Sequence, residues 1–194
     1  DYYSTNDKFT DNSAKDAGSA IFGMSSKIYI TNATFTNKNP IKWSLIYGSN
    51  CNIDISNSVF ANATSRYATA IYNTFKTTIK KSKFINLAAT ATAGAVAVKG
   101  GEPNKYAYLT IDNCEFINVS AAKNAGAVFV DIYGDGGSAK GGLVEILNTL
   151  FDKNSAEFGG AILNLGGSLD IFNTTFTNNV AKENGGAVYT SNAT

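Results

Sequence analysis

Residues 151–176 read FDKNSAEFGGAILNLGGSLDIFNTTF, one full period that opens and closes on phenylalanine. Within it, Gly159-Gly160 leads into the small-then-aliphatic pair Ala161-Ile162, and Leu169 and Ile171 alternate with polar neighbours just ahead of Phe176. Alternation with period two, rich in β-branched residues along the chain, means strand. The phenylalanine recurs outward along the chain at Phe9, Phe35, Phe60, Phe84, Phe116, Phe151 and Phe176, with gaps of 26, 25, 24, 32, 35 and 25 residues. A near-fixed period of this size marks a solenoid, whose coils bury their apolar faces against one another.

Two further columns travel with the phenylalanines. The small-aliphatic pair recurs as Ala20-Ile21, Leu45-Ile46, Ala70-Ile71, Ala95-Val96, Ala127-Val128, Ala161-Ile162 and Ala187-Val188. The alternating pair recurs as Ile28/Ile30, Ile53/Ile55, Thr77/Ile79, Leu109/Ile111, Val144/Ile146 and Leu169/Ile171. Each coil therefore reads strand, turn, strand, turn, short strand, and no segment carries a sustained helical period with caps. The fold class expected is all-β: a single-stranded parallel β-helix of about seven coils, spanning residues 1–194 as one body. Equivalent residues should stack in ladders, with the phenylalanines inside.

From Phe35 onward the residue two before each phenylalanine is small (Ala33, Ser58, Ser82, Cys114, Thr149, Thr174) and should share the inward face, leaving room for the ring. Three before it stands asparagine, at Asn32, Asn57, Asn113, Asn148 and Asn173, with Lys81 in the remaining coil. Asparagine tolerates left-handed backbone and bonds its own main chain, so these read as stacked turn residues. A second asparagine lies two or three places after each phenylalanine and should serve another turn.

Composition sets the outer limits. Asparagine occurs 23 times, histidine and glutamine never, and Arg66 is the sole arginine; the formal net charge is +1. The basic patch of a nucleic-acid binder is missing. No apolar run is long enough for a membrane-spanning helix. The opening residues carry no signal-peptide pattern and neither end shows a polar capping coil, so we expect a piece of a longer protein. Cys51 and Cys114 occupy different places in the repeat, two coils apart, and should be free thiols. Without histidine, Cys114 has no set of metal ligands around it. Sequons begin at Asn32, Asn62, Asn118, Asn173 and Asn192, weakly pointing to an extracellular setting.

The long gaps hold two insertions, residues 99–108 and 131–142, both between the first and second strands of successive coils. They should bulge from one edge, and insertions of this kind often mark a binding face. Asp131 and Asp135 lie in the second. They lack the spacing and terminal glutamate of a calcium loop, so no metal site is assigned and calcium is a minor expectation.

The Gly-Gly-Ala-Ile/Val tetrapeptides at 159–162 and 185–188, with Phe-x-x-Asn at Phe9, Phe151 and Phe176, resemble the repeats of the polymorphic outer membrane protein family. They also look like adhesin-like surface proteins of methanogenic archaea. The resemblance runs the length of the chain and is sharpest from Phe151 onward. Trp43-Ser44-Leu45-Ile46 replaces the glycines, and Asn37, Asn62, Asn86 and Asn118 sit one place early. The resemblance implies right-handed coiling and an extracellular, cell-surface, adhesive protein, whose partner would be a glycan or a surface protein of another cell.

With Ile21 and its equivalents inward, the following residue should face out. That column is Phe22, Tyr47, Tyr72, Ala97, Phe129, Leu163 and Tyr189. Its aromatic members Phe22, Tyr47, Tyr72, Phe129 and Tyr189 are the candidate ligand-binding residues, beside a trough expected to be floored by the alanines two places earlier. The competing reading is a carbohydrate-active enzyme, since right-handed β-helices include polysaccharide lyases and glycoside hydrolases. Glu145 and Asp170, six before their phenylalanines in adjacent coils, are the only paired carboxylates to propose for it. They have no histidine or arginine beside them, and a solvated acidic pair is the plainer reading. A passive structural stalk is the third.

Overall fold

The structure, a computed structural model, describes residues 1–100, 106–131 and 142–191. Its strands, among the described residues, form three parallel sheets wound in one repeating order, with no helix. The first sheet runs from Tyr2–Thr5 to Ser168–Phe172, the second from Lys8–Thr10 to Thr175–Thr177, and the third from Ile21–Met24 to Val188–Ser191. Every strand pairs with its equivalent one coil away. This is the parallel β-helix expected from the period. The register follows the columns: Phe84 stands opposite Phe60 and Phe116, and Val96 opposite Ile71 and Val128.

The phenylalanine ladder fills the core. Successive rings from Phe9 to Phe176 lie 4.4 to 5.0 Å apart, with planes within 7° of parallel. Phe35, Phe60, Phe84, Phe116 and Phe151 are wholly buried. The spacing is that of neighbouring strands, so the backbone ladder sets the ring stack.

The small column beside the rings does more than leave room. Ser58, Ser82 and Thr149 each donate a hydroxyl to the carbonyl two residues back, at 2.7 to 2.8 Å. The same oxygens accept the main-chain N–H of Ala33, Ser58 and Cys114 in the preceding coil. The column is a hydroxyl ladder that satisfies buried main-chain groups at a turn. Cys114 holds one rung, its thiol reaching the Asp112 carbonyl at 3.3 Å.

Cys51 and Cys114 are both free and buried. Burial pushes the Cys114 thiol up to about 11, outweighing its main-chain hydrogen bonds. The unfolded chain releases that proton near pH 9, whereas the folded chain keeps it to about 11. The contribution is therefore whole below pH 9 and is lost as pH rises through 11. Cys114→Ser should match the parent in urea titrations at pH 7 to within about 1 kcal/mol, because serine already serves this column. It should also show a shallower loss of stability between pH 9 and 11. An equal alkaline slope in the two proteins would sink this assignment.

Asparagine ladders line the turns. Asn32, Asn57, Asn113, Asn148 and Asn173 all have φ between 47° and 55°, and Lys81 takes the same conformation at 49°. Their amides bond along the axis, as from Asn173 to Asn148 at 2.8 Å and Asn32 to Asn6 at 2.6 Å. The asparagines after the phenylalanines prove to be two columns. Asn62, Asn86 and Asn118 share the left-handed turn of Lys153 and Asn178. Asn37 and Asn154 are buried instead and Asn179 is half-buried; the Asn154 carboxamide accepts the Val119 N–H at 3.0 Å, and the Asn179 amide donates to the Phe151 carbonyl at 2.9 Å. Middle coils fill that inward place with Ala63, Leu87 and Val119. For Asn62, Asn86 and Asn118, what reads as a one-residue displacement is thus a swap between neighbouring positions; Asn37 differs, being buried two places after its phenylalanine. The sequons at Asn32, Asn62, Asn118 and Asn173 lie in these turns; Asn192 lies outside the described residues.

One expectation is corrected. The alanines ahead of the third sheet do not floor an outer trough: Leu45, Ala70, Ala95, Ala127 and Ala161 belong to the main core. The main chain turns a corner there. The N–H groups of Ala95 and Val96 both donate to the Ala127 carbonyl, and those of Ala127 and Val128 both to Ala161. Two consecutive N–H groups facing one partner suspend the strand's alternation, as in a bulge, so two consecutive side chains point inward. Alternation resumes one residue later.

Candidate binding face

On the third sheet the outward column stacks in the expected register: Phe22 with Tyr47, Tyr47 with Tyr72, Tyr72 with Ala97, Ala97 with Phe129, Phe129 with Leu163, and Leu163 with Tyr189. It is not one continuous exposed row. Phe22 is exposed, Tyr47, Tyr72 and Tyr189 are half-buried, and Phe129 is buried with 8% exposure. Phe129, Ala97 and Leu163 form a second apolar cluster with Ala68, Ala93 and Ala125, which stand four residues ahead of Tyr72, Ala97 and Phe129. These alanines are the small residues beside the column.

The N-terminal half of the column is an aromatic stack. Phe22 and Tyr47 lie 5.5 Å apart and 3° from parallel, Tyr47 and Tyr72 5.0 Å apart and 9°. Burial raises the Tyr47 phenol above its ordinary value. Two residues outside the column join it. Trp43 meets Tyr47 and Tyr72 edge-on at 5.7 and 5.5 Å and stacks on Tyr67 at 4.2 Å. The Arg66 guanidinium lies 5.2 Å from the Tyr67 ring centre, within reach of a cation–π contact. Trp43 stands where the other coils carry glycine or alanine (Gly18, Ala68, Ala93, Ala125, Gly159, Gly185), so the departure from the repeat is itself the signal of a site. Tyr67 gives no such signal, because it precedes the aligned segment.

Beside this group lies a cavity of about 260 Å³, lined by Trp43, Tyr67, Tyr72, Ala97 and Phe129, with Thr92, Asn124, Lys99 and Asp131 supplying polar groups. Lys99 and Asp131 stand opposite each other in the sheet, with charged atoms 3.8 Å apart. The cavity thus combines aromatic faces, hydrogen-bonding side chains and a charge-balanced pair, the mixture that marks small-ligand sites. Tyr189 sits apart from it, near Phe158 at 6.1 Å.

Glu145 and Asp170 pair across adjacent strands of the first sheet, away from this cavity. Glu145 is half-buried and accepts the Thr110 hydroxyl at 3.4 Å, while Asp170 is exposed. Among the described residues no group of three acidic or cysteine side chains could hold a metal ion. Of the loop considered for calcium, Asp131 faces Lys99; Asp135 and the rest of 132–141 lie outside the described residues, as do 101–105 of the other insertion. No helix of the described chain is long and apolar enough to cross a membrane.

Residues 148–165 and 173–191 match the family model of the Chlamydia polymorphic membrane protein (Chlamydia_PMP) repeat. The chain is thus a repeat protein like the polymorphic membrane proteins. No curated protein and no solved structure matches it.

Proposed function

We propose that the chain is a cell-surface, adhesin-like β-helix that attaches to a glycan or protein partner through the aromatic face of its third sheet. The observation that carries this reading is the cluster of Trp43, Tyr47, Tyr67 and Tyr72, three of which (Trp43, Tyr67 and Tyr72) line a polar-rimmed cavity. Large rings on a sheet present much contact area with little conformational freedom to lose, which suits them as anchors for a partner. The repeat match supports a surface setting. Glu145 and Asp170 fit surface acids better than a catalytic pair, since among the described residues the one side-chain bond to either comes from Thr110, and Asp170 is exposed.

Trp43→Ala/Tyr67→Ala tests the reading. Both side chains are half-buried and neither belongs to the main core, so the double variant should keep the parent's circular dichroism. Its attachment to cells or immobilised glycans should fall at least tenfold, equivalent to about 1.4 kcal/mol. Unchanged attachment would favour a passive stalk.

A further inference from the structure

The outer face of the second sheet is close to a palindrome along the solenoid axis. Each strand turns its phenylalanine inward and the residues on either side outward, which makes two outer columns. One runs Thr34, Val59, Lys83, Glu115, Leu150, Thr175; the other runs Thr36, Ala61, Ile85, Ile117, Asp152, Thr177. Outward from the midpoint between Phe84 and Phe116, the two halves match in character. Lys83 answers Glu115, Ile85 answers Ile117, Val59 answers Leu150, and the threonines answer each other. Ala61 and Asp152 are the unlike pair, but the Asp152 carboxylate already has the Lys153 ammonium at 3.8 Å and the Asn178 amide at 3.1 Å. The face is also apolar for an outer surface. Val59, Ala61, Ile85, Ile117 and Leu150 are half-exposed, whereas the outward column of the first sheet carries Asp54, Thr78, Thr110 and Glu145 in the same coils. Neighbouring rings beneath the face lie within 7° of parallel, so it is nearly flat.

We propose that this face binds a second copy of the chain, with the two solenoids antiparallel across a two-fold axis that runs along the strands between Lys83 and Glu115. Such an axis reverses the order of coils but sets each column against itself. Lys83 then meets the partner's Glu115, Ile85 the partner's Ile117, and Val59 the partner's Leu150. The Lys83–Glu115 pair, 3.0 Å apart within one chain, joins its copy in a ring of four alternating charges. Apolar contacts flank that ring on both sides, where exposed apolar patches mark interaction surfaces. Other arrangements are penalised. A two-fold axis parallel to the solenoid sets one column against the other and buries Lys83 against isoleucine. An antiparallel axis moved onto the coil of Phe84 puts Lys83 against the partner's Lys83, and one moved onto the coil of Phe116 puts Glu115 against the partner's Glu115. Like charges thus exclude the nearest wrong registers. Strand spacing over seven coils, with the flanking turns, gives a face of about 30 Å by 20 Å, or about 1,200 Å² buried over both copies, the lower bound for a specific interface. A reversible dimer in the micromolar range is expected. The third sheet takes no part, so this inference stands apart from the aromatic-face proposal.

Sedimentation equilibrium tests the assignment. The parent should show a monomer–dimer equilibrium at micromolar concentration. Lys83→Glu and Glu115→Lys each place like charges at the centre and should weaken dimerisation at least tenfold. Both side chains are well exposed, at 51% and 37%, so each variant should keep the parent's circular dichroism. Lys83→Glu/Glu115→Lys restores the facing pairs and should return to within about threefold of the parent. Orientation is read by cross-linking. Thr34→Cys/Thr175→Cys should be joined into covalent dimers by a short bismaleimide, because each new thiol faces its counterpart across the interface. Within one chain the two positions are five coils apart, about 24 Å, too far for the reagent. Thr34→Cys alone should stay unlinked, and the native thiols of Cys51 and Cys114 are buried and do not compete. A parent that stays monomeric would overturn the proposal, as would single charge variants that dimerise like the parent or a double variant no better than the singles. Linkage through Thr34→Cys alone would also overturn it, since only parallel copies bring those positions together.

Discussion

Phe84→Ala should lower the unfolding free energy by about 3–5 kcal/mol, among the largest losses available to a single substitution here. The ring is wholly buried and stacked on both sides, 5.0 Å from Phe60 and 4.5 Å from Phe116. Removing it opens a cavity in the middle of a ladder whose neighbours are fixed by backbone pairing and cannot close in. Each aromatic pair is also worth about 0.5–1.5 kcal/mol beyond its buried area. In a solenoid, stability is close to a sum of coil terms and nearest-neighbour interface terms. Phe84→Ala strikes two interfaces at once, so the urea transition should broaden or split as the flanking coils unfold separately. Phe176→Ala should lose roughly half as much, since that ring is only partly buried and stacks on Phe151 alone. Equal losses at the two positions would show that the rings do not act as a ladder.

The core was legible because identical side chains are stacked by the fold itself, so a period in the sequence becomes a column in space. The phenylalanines, the small rung two places before them and the left-handed asparagines could all be read this way. The inward alanines could not. Strand alternation puts Ala95 and Ala97 on one face, and only the corner where Ala95 and Val96 share one carbonyl reverses that. The hydroxyl ladder was visible only as small size, because a donor's partner is set by a neighbouring coil. At the candidate site, the column Phe22, Tyr47, Tyr72, Ala97, Phe129 was in register, but its burial was not readable. Phe129 is enclosed by alanines from a different part of the repeat, and Trp43 reaches the column from a turn.

Gly126→Ala should be comparably damaging for a different reason, and it explains why glycine recurs before the alanine corner. A Cβ built on Gly126 would stand 1.8 Å from the Gly160 carbonyl oxygen and 2.8 Å from the Ser155 nitrogen. Gly94 meets the Gly126 carbonyl and Gly160 the Gly186 carbonyl in the same way, each at 2.0 Å. The atoms in the way are main chain of the adjoining coil, so relief requires one coil to move away from the next. That would stretch the bonds at the corner, including Gly126 N–H to the Gly159 carbonyl at 3.0 Å. A loss of about 2–3 kcal/mol or more is expected from such overpacking, with φ already in ordinary range so that no conformational penalty contributes. Gly186→Ala is the control, because its nearest neighbour would be 3.8 Å away in this chain. Denaturant titration should place Gly186→Ala within about 0.5 kcal/mol of the parent. Earlier coils put Ser19, Ser44 and Thr69 at this position, with the Ser44 hydroxyl bonded to the Ile46 carbonyl at 2.8 Å. Glycine is therefore demanded only where the next coil's carbonyl comes close. A parent-like midpoint for Gly126→Ala would mean that the coils can separate freely at this corner, and that the close approach of the next coil's carbonyl is not what selects glycine there.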